Sequence, residues 1–259
     1  MKKIALLLSL SIAFVSCNND DDSTPDNVSV EFTFTHNWDG DEITNADFDQ
    51  IQYTNANGEQ QSISKLVYLI SDITFTDANG NSFDAGDYNL VDVRANTNIN
   101  FTPNIEIPPG DYTVSFTFGF DDEDNESGIY VDLNSADGGW NVPEALGGGY
   151  HYMRLEGMFI DAASNPVGYQ YHAIRANDNT TTPITLQDTS FEVALGEVSV
   201  GSTTNVEVQM NVAEWFKNPN TWDLNVLNSV LMPNFDAQIM MSENGAAGVF
   251  DLGVVTTVE

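Results

Sequence analysis

The chain has 259 residues, with 7 Lys and Arg against 39 Asp and Glu and a formal net charge of −32. This acidity leaves no basic cluster for phosphate contacts and excludes nucleic acid and basic-patch docking on anionic lipid. It reads first as solubility. Hydrophobic residues make up 41%, enough to build a core and exclude disorder throughout, while a single cysteine, Cys17, excludes an intrachain disulfide or a zinc site of several thiolates.

Lys2 and Lys3 precede an apolar run over residues 4–15. That length suits an export signal and is too short for a mature spanning helix. It ends in Phe14-Val15-Ser16-Cys17, which resembles a bacterial lipobox. On this reading residues 1–16 are a signal peptide and Cys17 carries lipid. Residues 17–27 are then an acidic, disordered tether, and the mature protein is an outer-membrane lipoprotein facing the periplasm or the cell surface. The acidic cluster after Cys17 also resembles the surface-export signal of Bacteroidetes lipoproteins.

Residues 28–259 read as one β-rich domain. Val28, Val30, Phe32, Phe34, His36 and Trp38 alternate with polar residues, the period of a half-buried strand. Further strands are expected over 63–76, 87–94, 112–120, 149–161, 167–176, 190–200, 206–212 and 248–257. Asn57-Gly58, Asn79-Gly80, Pro108-Pro109-Gly110 and Asn165-Pro166 supply turns between them. Short helical turns are expected at 212–217, 224–231 and 236–242. The fold class is therefore all-β, an antiparallel β-sandwich of immunoglobulin-like or related type, with a few short helical turns near 212–245.

Nucleophile, P-loop and zinc-protease motifs are all missing, so the chain is not expected to be an enzyme. Imidazole chemistry rests on His36, His151 and His172. By alternation His36 shares a face with Phe34 and Trp38, and His172 shares one with Ile174. Each is either a satisfied core histidine or a metal ligand. His151 alternates with Met153 and Leu155, which puts an imidazole and a thioether on one face. Asp121, Asp122, Asp124 and Asn125 form an oxygen-rich loop that is either a solvated turn or a Ca²⁺ site. Trp140 lies in a glycine-rich loop, as an anchor or as part of a site.

Several ordered segments then carry a resemblance. They are Phe32-Thr33-Phe34-Thr35-His36, the 63–73 run Ile-Ser-Lys-Leu-Val-Tyr-Leu-Ile-Ser-Asp-Ile, Tyr88-Asn89-Leu90-Val91-Asp92 and Ile107-Pro108-Pro109-Gly110-Asp111-Tyr112. Gly119-Phe120-Asp121 with Asn125 follows, then Trp140 before Gly149-Tyr150-His151-Tyr152-Met153-Arg154-Leu155-Glu156-Gly157, and finally Tyr169-Gln170-Tyr171-His172. Together they resemble the MbnP-like copper-binding domain family of exported proteins. The resemblance implies a β-sandwich that binds copper, as Cu(I) or Cu(II), through histidines, with His36 and His172 as ligands. It implies Trp140, with Trp38 as runner-up, as a tryptophan that a partner dihaem protein of the cytochrome c peroxidase type oxidises to kynurenine in some members. His151 and Met153 are additional candidates for the site.

The expected function is metal capture or handling by a copper-binding lipoprotein, held to the membrane by its N-terminal lipid and without catalytic turnover. The competing expectation is a surface lipoprotein that binds glycan or protein, its acidic loop holding Ca²⁺.

Overall fold

The computed structural model describes residues 26–86 and 88–258. The signal peptide, the lipobox with Cys17 and most of the tether fall outside the described residues. In chain order the strands are β1 (Val30–Trp38), β2 (Asp41–Glu42), β3 (Tyr53–Thr54), β4 (Gln60–Gln61), β5 (Lys65–Asp77), β6 (Ser82–Asp84), β7 (Tyr88–Asp92) and β8 (Asn100–Phe101). Then come β9 (Gly110–Phe118), β10 (Met153–Ile160), β11 (Pro166–Ala173), β12 (Ala176–Asp178), β13 (Thr185–Gln187), β14 (Phe191–Val200), β15 (Thr203–Asn211) and β16 (Phe250–Val258). One α-helix, α1 (Phe235–Ala246), precedes the last strand.

These strands build the expected all-β, sandwich-like fold. One sheet runs β16-β15-β1-β2, with β8 also on β1; the larger runs β14-β9-β5-β10-β4-β3, with β11 on β10 and both β6 and β7 on β5. Pairing is antiparallel except between β1 and β15, where Val30 to Asn37 run parallel to Thr204 to Asn211. The turn expected at 212–217 is a 3₁₀ helix, Val212–Phe216, while residues 224–231 form turns without a helix. The turn expected at 236–242 is longer in the structure, as α1 with Asn234 capping its N-terminus through the Ala237 N–H.

The main core lies between the sheets, where alternation places Phe32, Phe34, Tyr68, Phe116, Phe118, Val208, Met210 and Phe250. A second core covers the opposite face of the large sheet. There Val67 and Leu69 of β5 meet Phe120, Leu133, Trp140 and Tyr150, all from the 119–152 segment. Residues 66–71 of β5 are consequently buried without a break, as a strand covered on both faces must be.

Buried polar groups fasten this outer layer. Asn125 donates through Nδ2 to Tyr152 Oη at 3.0 Å and accepts the Tyr150 N–H on Oδ1 at 2.8 Å. Gly149 has φ +78, and a Cβ there would stand 2.2 Å from Asn125 Oδ1. Only glycine combines that backbone with that approach.

Candidate metal centre

The outer layer presents Trp140 and His151 to the large sheet. Residues 140–142 and 149–151 pair as a small hairpin: the Val142 N–H donates to Gly149 O at 2.9 Å and the His151 N–H to Trp140 O at 3.0 Å. The Trp140 and His151 rings are consequently 5.6 Å apart. His172 comes from β11, where it stands directly opposite Arg154 of β10. Its ring meets that of His151 edge-on, 5.6 Å between centroids and 82° between planes.

Hydrogen bonds fix one nitrogen of each imidazole. His151 Nδ1 lies 2.9 Å from Trp140 O. A carbonyl can only accept, so Nδ1 carries the hydrogen and Nε2 the lone pair. Arg154 also approaches Nδ1, at 3.3 Å, but a protonated Nδ1 cannot accept; its guanidinium instead donates to Gly139 O at 2.6 Å and to Asp137 O at 3.0 Å. His172 Nε2 lies 2.9 Å from Glu156 Oε1. The His172 bond holds the Glu156 carboxyl below its usual range, against the opposing effect of burial. An ionised Glu156 makes His172 Nε2 the donor, so in the neutral ring the lone pair sits on Nδ1. A carboxylate or carbonyl behind an imidazole is the arrangement that orients metal-binding histidines.

Charge around the pair is balanced. Arg154 packs over the Trp140 ring with its guanidinium carbon 4.7 Å from the centroid, and Asp137 bridges Arg154 and Lys65 at 3.0 and 2.8 Å. Burial works against ionising Asp137, but these two cations hold its carboxyl below the usual value. His151 is 3% exposed; burial first, then the Arg154 guanidinium, push it down to about 3, so it stays a neutral base across the physiological range. Trp140 is fully buried, and its Nε1 has no hydrogen-bond partner.

The histidines expected to act together do not meet. His36 points into the main core, with Nε2 3.0 Å from Tyr68 Oη. Tyr68 shares a face with Met153 and Leu155, whereas His172 shares the opposite face with Arg154 and Val67. The large sheet therefore separates His36 from His172. The reason is alternation within β11: Tyr169 and Tyr171 fill the main core, so His172 faces away from it. Met153 likewise lies in the main core, away from His151, because the chain bends at Tyr152 and ends the alternation that linked them. Trp38 stacks on Tyr53 at 4.8 Å and abuts Phe216, remote from the histidine pair. Arg154 and Glu156 were not singled out from sequence; their parity with His172 across the β10–β11 hairpin is the signal that marks them.

In the acidic loop, Asp121 Oδ1 accepts the Glu123 and Asp124 N–H groups, Asp122 pairs with Arg175 at 3.1 Å, and Asn125 is buried in the bonds above. Burial raises the Asp124 carboxyl, with Asp121 and Asp84 adding to the effect. Among the described residues, no three His, Cys, Asp or Glu side chains gather as a metal cluster.

The sequence profile of the MbnP family matches residues 27–233. The chain belongs to the MbnP family. Its MbnP domain holds the histidine pair, Trp140 and the outer layer, and the helix and strand beyond residue 233 complete the same core. Among solved structures, MbnP from Methylosinus trichosporium is similar at 15% identity and a TM-score of 0.46, covering 79% of this chain and 82% of that one. Comparison with curated proteins gives no match.

Proposed function

We propose that this MbnP-family protein is an exported lipoprotein that holds copper on His151 and His172, for capture or handling and without turnover. The observation that carries this reading is the edge-on imidazole pair, each ring tied to an acceptor through one nitrogen and offering a lone pair on the other. A pair of imidazoles suits copper, which stands at the top of the divalent affinity order and takes nitrogen ligands readily. Bound there, copper would supply a soft, low-coordinate cation centre. The chain's own residues orient the rings, exclude water through Trp140 and the second core, and keep His151 unprotonated.

Trp140 cannot ligate through its indole N–H, which is only a donor. Its place against His151 supports it, rather than Trp38, as the residue a partner dihaem protein would oxidise. Anchoring through lipid on Cys17 completes the proposal and places the site at the outer membrane.

The test is copper titration of the full exported chain with single-alanine variants. His151→Ala and His172→Ala should each lose most of the copper affinity, while His36→Ala keeps the stoichiometry of the parent. A His151/His172 double variant that binds copper as tightly as the parent overturns the assignment.

A further inference from the structure

The β3–β4 hairpin carries a second buried polar cluster, separate from the histidine pair. Tyr53 pairs with Gln61 and Thr54 with Gln60, so Asn55, Glu59 and Gln61 project from one face of the hairpin. They are 5%, 6% and 0% exposed. Asn55 Oδ1 accepts the Glu59 N–H at 3.0 Å, which fixes the orientation of its amide, and its Nδ2 has no partner. Glu59 Oε1 accepts from Asn57 Nδ2 and from Asn225 Nδ2, both at 2.8 Å. Glu59 Oε2 and both amide atoms of Gln61 have none. Among the described residues, no Lys, Arg or His forms an ion pair with Glu59.

Buried polar atoms in native proteins are satisfied by protein, water or an ion, and a buried charge requires a counter-charge. Water alone would satisfy the two amides and leave the carboxylate uncompensated. We propose that this cluster binds a singly charged hard cation of the sodium class, with Glu59 Oε2 and Gln61 Oε1 as protein ligands and Asn55 Nδ2 donating to a water beside it. The donors are all oxygen, which excludes a soft metal. One carboxylate matches one positive charge, whereas calcium takes six to eight oxygens and usually several carboxylates. The bound ion fastens the hairpin to the loop that carries Asn225. That loop also covers the free edge of β11, where the Gln170 N–H donates to Asn228 O at 2.7 Å.

The test compares melting of the full exported chain in sodium chloride and in tetramethylammonium chloride at equal ionic strength. Sodium should raise Tm saturably, by about 3–6 °C at tenfold excess over half-saturation. Glu59→Gln should abolish the sodium response and, in tetramethylammonium, melt no lower than the parent. Gln61→Leu should weaken sodium affinity at least tenfold, and it decides the matter if Glu59→Gln does not fold. Equal melting of the parent in the two salts means a water-filled cluster and overturns the proposal. So does stabilisation by calcium chloride without a response to sodium, or a full sodium response in Glu59→Gln. Copper binding is independent of each of these outcomes.

Discussion

His36 and His151 are both almost fully buried, both driven down to about 3 by burial, and yet they sit in unlike surroundings. His36 lies between the sheets, with the Tyr68 hydroxyl as its hydrogen-bond partner, ring contact to the same tyrosine and Met210 as its register neighbour. His151 lies outside the large sheet, where a backbone carbonyl sets its tautomer and a second imidazole abuts its ring. Burial alone therefore does not distinguish the proposed ligand from a core residue. What distinguishes His151 is a fixed tautomer combined with a second imidazole against its ring.

The comparison can be broken most forcefully at Trp140. Trp140→Ala removes the centre of the outer core and should cost about 3–5 kcal/mol, with hydrogen exchange accelerating over residues 119–152 before it does in β1 and β15. Uniform acceleration through both layers would show that the outer core has no stability of its own. Next in size is the second sphere of the proposed copper pair. Glu156→Gln replaces the carboxylate behind His172 and should weaken copper binding by about 10–100-fold, against an unchanged affinity in Asp122→Asn. Equal affinities in the two variants would detach His172 from the metal.

A smaller effect separates the inner histidine by acid. Between pH about 6.5 and 3, an unfolded imidazole binds a proton that folded His36 refuses. Its contribution to stability is therefore complete above about 6.5 and drains as the pH falls toward 3, by at most about 1.4 kcal/mol per pH unit. His36→Asn removes that titration, so its denaturation profile over this range should be flatter than that of the parent. Parallel profiles would mean that His36 gains its proton without unfolding. A further effect, of similar size, is expected at Gly149. Gly149→Ala should cost about 1–3 kcal/mol through its positive φ and the crowding of Asn125, and should weaken copper binding only as far as it displaces His151.

Much of the fold was legible because alternation is a local property. The run from Val28 to Trp38, the Tyr112–Phe120 pattern and the valines of 206–212 each announce a strand and its buried face. The inward direction of His36 follows from the same parity. The histidine pair was not legible, because it depends on the β10–β11 register and on the 119–152 segment that covers what would otherwise be a solvent face. With that face covered, His172 is largely buried although Tyr169 and Tyr171 take the main core, and parity with Ile174, beyond the end of the strand, misdirects. The role of the acidic loop was hidden for a related reason: Asn125 is the clasp between two tyrosines that lie 25 and 27 residues further on.

The parallel pairing of β1 with β15 sets the order in which this molecule can be completed. Val30, among the first folded residues to be synthesised, takes Thr204 as its partner, and β15 in turn pairs with β16 near the end of the chain. Until β15 is made, one edge of the first strand has no partner, although its other edge already pairs with β2 and β8. Contacts this distant make for slow folding. The smaller sheet cannot close until β15 and β16, both made after every strand of the large sheet, are available.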